Sequence, residues 1–315
     1  MSPPKVSVCV VAYNQEKYIR QCLQSIVDQQ TGFEIEVIVG DDGSSDGTRA
    51  IIREFEERYP GVVKPVFHAR NLGPFENYLF VHRAASGQYV AHMDGDDYWL
   101  PGKLASQIDF LDRHPECAAV YTNAEVVSEA GAHLGVFTGP IRAVFDTAYL
   151  LSRGNFICHS SMLYRAEPGR FAFSVAGEFI DFHIHEKLSE KGLLGFVNEP
   201  LVAYRFDASG SMLKARNDRI RFLYLQVFRD ADLSKVRVGA LYAGLATFLA
   251  NIVLSDVSGG HGLRQSGVIA AIRSLGFMNF MLFRGILLAA LCRLFFKRVA
   301  ARLLPGRERV FYPRY

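Results

Sequence analysis

Between residues 5 and 114 the hydrophobic period of the chain switches repeatedly from two to about three and a half, and this alternation limits the available folds more than any other feature. KVSVCVVAY (5 to 13) is rich in β-branched residues and nearly continuously apolar, as in a strand buried on both faces. Directly after it, Ile19, Cys22, Leu23, Ile26 and Val27 recur at spacings of three and four, predicting a helix to about Asp28 with Asn14 as its N-cap. EIEVIVG (34 to 40) reads as a strand, TRAIIREFEERYP (48 to 60) as a helix, and VVKPVFH (62 to 68) as a weaker strand carrying Pro65. Pro74 and Pro101 stand where first-turn prolines are favoured, opening helices at PFENYLFVHRAA and PGKLASQIDFLDRH, with the strand QYVAHM (88 to 93) between them. Four strands alternating with helices call for βαβ units, hence an α/β fold with a parallel-core sheet flanked by helices and right-handed crossovers.

Open α/β sheets bind their ligands beyond the carboxyl ends of the strands. The loops that matter therefore begin at Tyr13, Gly40, His68 and Met93, and they read YNQ, DDGSSDGT, HARNLG and DGDDYW. After about residue 116 the alternation lapses. CAAVYTNAEVVSEAGAHLGVF reads as two strands joined at Glu129 to Gly131, HSSMLYR as another, GEFIDFHIHEKLSEKG as a helix closed by Gly192, and LLGFVNEPLVAYRF as extended chain. Without an internal repeat or a low-complexity linker, residues 1 to 230 read as one unit and 231 to 315 as a helical C-terminal appendage poor in acids.

Composition narrows the functional classes. Half of the residues are hydrophobic and 21% are charged, enough to bury a core and inconsistent with disorder. A net charge of +3 without an arginine-rich signature excludes nucleic acid as the partner. The charge is uneven: from Val257 to Tyr315 there are ten Lys/Arg residues against the one acid Glu308, a local +9, which leaves −6 for residues 1 to 256. Five cysteines without a C-x-x-C pair fit neither a disulfide framework nor a zinc site, and point to a reducing cytosol. The first residues lack a small-residue cleavage site and read as a strand rather than a signal peptide.

Six acids crowd two of the loops: Asp41, Asp42 and Asp46, then Asp94, Asp96 and Asp97. Clustered carboxylates repel unless a cation offsets them, and oxygen-only ligands suit Mg²⁺ or Mn²⁺ completed by substrate phosphates. Turn chemistry explains DDGSSDGT about as well, whereas no turn type requires the three acids of DGDDYW. That loop lacks the sixth-position glycine and twelfth-position glutamate of an EF-hand.

VSVCVVAYNQEKYIRQCLQSI, VIVGDDGSSDGT, NLG and MDGDDYWLPGKL, in that order and spacing, resemble a family 2 glycosyltransferase of the nucleotide-diphospho-sugar transferase (GT-A) fold over residues 5 to 115, and more loosely to 212. The resemblance implies that Tyr13 and Asp42 contact the nucleobase, that Asp94 meets the ribose or a metal, and that Asp96 binds the metal bridging the diphosphate. Arg70 is a candidate for the uridine or phosphate side, beside its reading as a solvated loop arginine. A general base is implied at the start of a helix in the second half; IDFHIHEKLSEKG matches, with Asp181 the choice and Glu178 its rival, and for either an acid placed at a helix N-terminus to complement the macrodipole is the other reading. His183 and His185 alternate and so share no helix face for a metal. His159 and Ser160 can face the acceptor, although a satisfied buried histidine is the more common outcome for such a residue, and Asp207 replaces the histidine that often follows the last strand in this family, which puts a metal role there in doubt. The implied reaction is inverting transfer from a nucleotide-diphospho-sugar, a UDP-sugar first, to a hydroxyl of a glycan or lipid-linked acceptor in cell-surface polysaccharide synthesis. A sugar-nucleotide-forming nucleotidyltransferase stands as one alternative, although VVAYNQEKY lacks its glycine-rich phosphate loop. A non-catalytic glycan or nucleotide-binding module is the other.

SLGFMNFMLFRGILLAALCRLFFKRVAARLLPGR is apolar but broken by Arg284 and Arg293, with eight uncharged residues between them against the ~20 that span a bilayer. A helix lying in the interface, with Arg293, Lys297, Arg298 and Arg302 toward anionic headgroups on the cytoplasmic face, is one expectation. Packing on the catalytic unit or on a second copy of the chain is the other.

Overall fold

The computed structural model describes residues 4 to 166, 177 to 206, 208, 218 to 232, 234 to 258, 284 to 292, 294 and 309 to 311. The first half follows the predicted alternation: β1 (Val6–Ala12), α1 (Ile19–Val27), β2 (Ile35–Asp41), α2 (Thr48–Arg58), β3 (Val63–Phe67), α3 (Pro74–Ala84), β4 (Tyr89–Asp94), the short β5 (Tyr98–Trp99) and α4 (Lys103–Arg113). β6 (Cys117–Val127), β7 (His133–Val136), β8 (Val144–Phe145), α5 (Thr147–Arg153), β9 (Leu163–Arg165), α6 (Asp181–Ser189) and β10 (Leu193–Arg205) follow. Two further helices, α7 (Asp218–Asp230) and α8 (Val238–Ser258), come after them.

The sheet runs β3-β2-β1-β4-β9-β6-β10-β5, with β7 beside β6 and β8 beside β10. β1 to β4 are mutually parallel, and β9 enters antiparallel between β4 and β6. Pro65 lies on β3 at the sheet edge, where its missing N–H costs no ladder bond. Period two governs β1: Val6, Val8 and Val10 enter the core under α1, α2 and α4, while Cys9 enters the core under α3, α5, α6 and α7. A strand between two apolar layers reads as continuously hydrophobic for this reason.

Several local expectations differ. Asn14 is not the cap of α1: it takes a left-handed φ of 51°, and the helix begins after Tyr18. Pro101 precedes the N-cap Gly102 of α4 instead of lying in its first turn. In HSSMLYR only Leu163–Arg165 is strand, because His159–Ser161 forms a single 3₁₀ turn. α6 starts at Asp181, not at 177, after an extended Ile180 whose N–H is accepted by Nδ1 of His183 at 3.2 Å.

The boundary expected near residue 230 falls between α7 and α8, which line the same apolar core. Tyr224 of α7 stacks on Phe248 of α8 with centroids 4.4 Å apart. At Gly244 a Cβ would come within 2.0 Å of the Leu151 carbonyl of α5, so only glycine lets the two helices meet this closely. Residues 309 to 311 return to β7, where the Val136 N–H donates to the Arg309 carbonyl and the Phe311 N–H to the Val136 carbonyl. Arg284 is exposed, whereas Arg293, Lys297, Arg298 and Arg302 lie outside the described residues. No helix among the described residues is long and apolar enough to cross a membrane.

Candidate active site

Parallel register assembles the rim. Ala12 pairs with Asp41 and Val11 with Asp94, so the acidic ends of β2 and β4 flank the end of β1, two strand spacings apart, or about 10 Å. Tyr13 follows β1 on the same rim with half of its surface exposed (49%). Arg70 is an exposed residue of the loop after β3.

The three acids of DDGSSDGT are separated by their partners. Asp41 is buried and accepts from Nε of Arg49 at 2.6 Å and from the Ser44 amide at 3.2 Å. Asp46 accepts from the Thr48 amide at 3.0 Å and the Glu16 amide at 3.2 Å, tying the start of α2 to the loop after β1. Asp42, also buried, receives the Leu72 and Gly73 amides at 2.7 and 3.0 Å and so holds the loop carrying Arg70. The close approach requires Gly43 (φ 75°), where a Cβ would lie 2.7 Å from the Arg70 carbonyl carbon. Turn chemistry thus explains Asp41 and Asp46, and Asp42 joins two rim loops.

DGDDYW behaves differently. Asp94 receives Nε2 of His92 at 3.1 Å and Oγ of Ser160 at 3.3 Å. Burial opposes its ionisation, but His92 and these hydrogen bonds outweigh it and hold the pKa below the ordinary value. Burial and the neighbouring Asp94 charge push Asp96 up to about 6. Burial, with Asp96 and Asp94 beside it, also raises Asp97, although Ser160 Oγ and the Arg205 amide donate to it at 2.6 and 2.8 Å. Among the described residues no lysine or arginine side chain pairs with any of the three. Arg205 instead binds the backbone: Nε donates to the Asp96 carbonyl at 2.9 Å, and the other nitrogens reach the Glu129 carbonyl and Gln21 Oε1 at 2.7 and 2.9 Å. Gly95 sits tight against β1, since a Cβ there would lie 2.9 Å from the Val11 carbonyl oxygen, besides displacing the end of the Gln15 side chain.

Two hard carboxylates at Asp94 and Asp96, neither in an ion pair with a lysine or arginine side chain among the described residues and Asp96 only partly offset by the Arg205 charge, fit a divalent cation whose remaining ligands are phosphate and water. No cluster of three or more His, Cys, Asp or Glu residues arranged for a metal occurs among the described residues.

Asp181 is the first residue of α6. Asn155 Nδ2 donates to its Oδ2 at 2.8 Å and the Phe182 amide to its Oδ1 at 2.9 Å. Burial nevertheless raises its pKa to about 6, with a contribution from the Asp94 charge. Glu178 is engaged at both oxygens by the guanidinium of Arg219. His183 and His185 have separate partners, the Ile180 amide and Asn155 respectively. Ser160, expected to face the acceptor, is fully buried between Asp94 and Asp97, because its hydroxyl is spent on the acidic loop. Asp207 lies outside the described residues.

Sequence reasoning passed over Arg205, Asn155 and His92. For His92 a signal existed, since period two places it on the same strand face as Asp94. For Arg205 and Asn155 none did, because their partners are 76 to 184 and 26 to 30 residues away in sequence.

The architecture is that of GT-A transferases: S. aureus TarS 1-349, solved in complex with UDP-GlcNAc, superposes with a TM-score of 0.59 at 21% identity, covering 91% of this chain and 79% of that one. The glycosyl transferase family 2 model matches residues 7–169, and the chain belongs to that family. An uncharacterized protein of Mycobacterium tuberculosis is 37% identical over 220 residues, 69% of this chain and 63% of its own length, so the chain spans less than two thirds of that relative. TuaG of Bacillus subtilis, named as a teichuronic acid biosynthesis glycosyltransferase, is 30% identical over 204 residues, covering 64% of this chain and 79% of its own length.

Proposed function

We propose that the protein is an inverting hexosyltransferase that moves a sugar from a UDP-sugar to a hydroxyl of a glycan or lipid-linked acceptor in cell-surface polysaccharide synthesis. The observation that carries this reading is the nearness of two acidic sites, Asp94 with Asp96 at the end of β4 and Asp181 at the start of α6, close enough for the Asp94 charge to raise the Asp181 pKa. The UDP-GlcNAc held by TarS supports the donor class, and the name of TuaG supports the pathway class.

Asp94 and Asp96 would hold Mg²⁺ or Mn²⁺, which supplies Lewis-acid stabilisation of the departing diphosphate. Tyr13 is offered to the base by its exposure, Arg70 to the uridine or phosphate side, and Asp42 to the base edge while fixing the loop that carries Arg70. Asp181, with a pKa of about 6, is ionised at neutral pH yet basic enough to take the acceptor hydroxyl proton, a contribution of order 10²–10⁴ in rate. With the Glu178 carboxylate committed to Arg219, Asp181 is the better base. The basic residues 284 to 302 would place the enzyme on the cytoplasmic face of a membrane, as a peripheral contact.

The test is UDP release from UDP-sugars with Mn²⁺ against a panel of glycoside acceptors. Asp96→Asn is expected to lose metal-dependent donor binding. Asp181→Asn is expected to bind donor normally and to lose transfer, and wild-type turnover by it would move the base elsewhere.

A further inference from the structure

Four buried or half-buried histidines, His82, His92, His159 and His185, lie in a row with successive ring centroids 4.2 to 5.2 Å apart, from the neighbour of Asp94 toward Asp181, and their hydrogen bonds form two chains. In the first, His82 Nδ1 lies 3.0 Å from the Tyr164 hydroxyl, His82 Nε2 lies 3.0 Å from His92 Nδ1, and His92 Nε2 faces Asp94 at 3.1 Å. Both nitrogens of both rings are engaged. The second chain runs from Asp181 through Asn155 Nδ2 (2.8 Å), from Asn155 Oδ1 to His185 Nδ1 (3.2 Å), and from His185 Nε2 to His159 Nδ1 (3.1 Å).

Donor and acceptor chemistry fixes the polarity of the second chain. A carboxylate only accepts, so the NH₂ of Asn155 faces Asp181 and its carbonyl faces His185, which must therefore carry its proton on Nδ1. Burial, with His92 nearby, lowers the His185 pKa to about 3, so its Nε2 is a lone pair at neutral pH and receives the Nδ1–H of His159. Burial and the neighbouring His92 and His185 hold His159 neutral as well. The His159 Nε2 is thereby left as an acceptor, and it has no hydrogen-bond partner among the described residues. The ring is only half-buried and lies 4.2 Å from that of His92, next to Asp94.

We propose that Asn155 and His185 are positioning residues for Asp181, and that the same chain presents the Nε2 lone pair of His159 to a hydroxyl or amide N–H of a reacting sugar. The inference rests on Asp181 being the base. The amide of Asn155 bonds through different atoms on its two sides and passes no proton, so the chain orients and does not conduct. A fixed lone pair repels phosphate and carboxylate oxygens, so the group that meets His159 is a neutral hydrogen-bond donor of the sugar and not the diphosphate.

The test combines a tautomer measurement with kinetics on the full chain. With ¹⁵N-histidine labelling at pH 7, His159 and His185 are expected to carry the proton on Nδ1, and Asn155→Leu is expected to release both from that state. A proton on Nε2 of either ring, or no change in Asn155→Leu, overturns the chain. In UDP release from UDP-GlcNAc with Mn²⁺ and p-nitrophenyl glycosides or water as acceptor, Asn155→Leu and His185→Phe should lower kcat roughly ten-fold or more with donor KM within about two-fold. His185→Gln, which can donate and accept, should recover most of the loss. Equal rates for the Gln and Phe variants, with UDP binding and melting temperature unchanged, overturn the positioning role. If Asp181→Asn keeps wild-type transfer, the base assignment fails while the tautomer result stands by itself. If Asp181→Asn is inactive and Asn155→Leu is not, this proposal alone fails.

Discussion

Arg205→Met is the perturbation that most directly tests how the acidic loop is held. The side chain is 5% exposed, its guanidinium makes three hydrogen bonds of 2.7 to 2.9 Å to Asp96, Glu129 and Gln21, and it stacks on the Tyr18 ring at 4.9 Å. Hydrogen bonds from a charged donor are worth about 1.5–3 kcal/mol each, and part of their sum is returned when the cation no longer has to be desolvated. Its partners are neutral acceptors, so the variant strands no charge but leaves three acceptors without their donor, each at about 1–3 kcal/mol, and a net cost of about 3–5 kcal/mol is expected. Methionine keeps the apolar stem and none of the donors, so the variant should lose roughly that much in urea unfolding at unchanged slope. Arg205→Lys should fall between the two, because one ammonium cannot span three divergent acceptors. Arg205 also lowers the Asp96 pKa, so its loss should move half-saturation by Mn²⁺ to higher pH. A cost below about 1 kcal/mol for the methionine variant, or full stability for the lysine variant, would refute the reasoning.

Asp181 has a folded pKa of about 6 and an ordinary unfolded value, so the folded state binds the proton more tightly and stability should fall as pH rises from about 4 to about 6. Asp181→Asn should flatten that slope in pH-dependent denaturation, and an unchanged slope would contradict the burial account. Gly244→Ala should cost more than about 1 kcal/mol if α8 packs on α5 as described, with the melting temperature as readout. For Gly95→Ala a loss of Mn²⁺-dependent UDP binding is expected, since the new methyl collides with Gln15 Oε1 and with the Val11 carbonyl at 2.9 Å; undiminished binding would mean that the loop has room.

Much of this protein follows from local chemistry. The spacing of Ile19, Leu23 and Ile26, the unbroken valines of β1 and the proline opening α3 are properties of consecutive residues, and they specify helices, strands and a parallel core without tertiary information. From the parallel core it follows that the acidic loops share a rim, which β1 confirms by pairing with both β2 and β4. What each acid does there was a matter for the tertiary structure. Asp41 and Asp46 belong to turns, Asp42 to the neighbouring loop, and Asp94, Asp96 and Asp97 to a buried acidic loop with no lysine or arginine ion pair among the described residues. The same holds for α8, whose apolar residues read alike whether they meet lipid, a second subunit or α5. Asn155, His185, His159 and Asp181 come together only through folding, because hydrogen bonds depend on distance and direction in space, and neither is written in the spacing of residues along the chain.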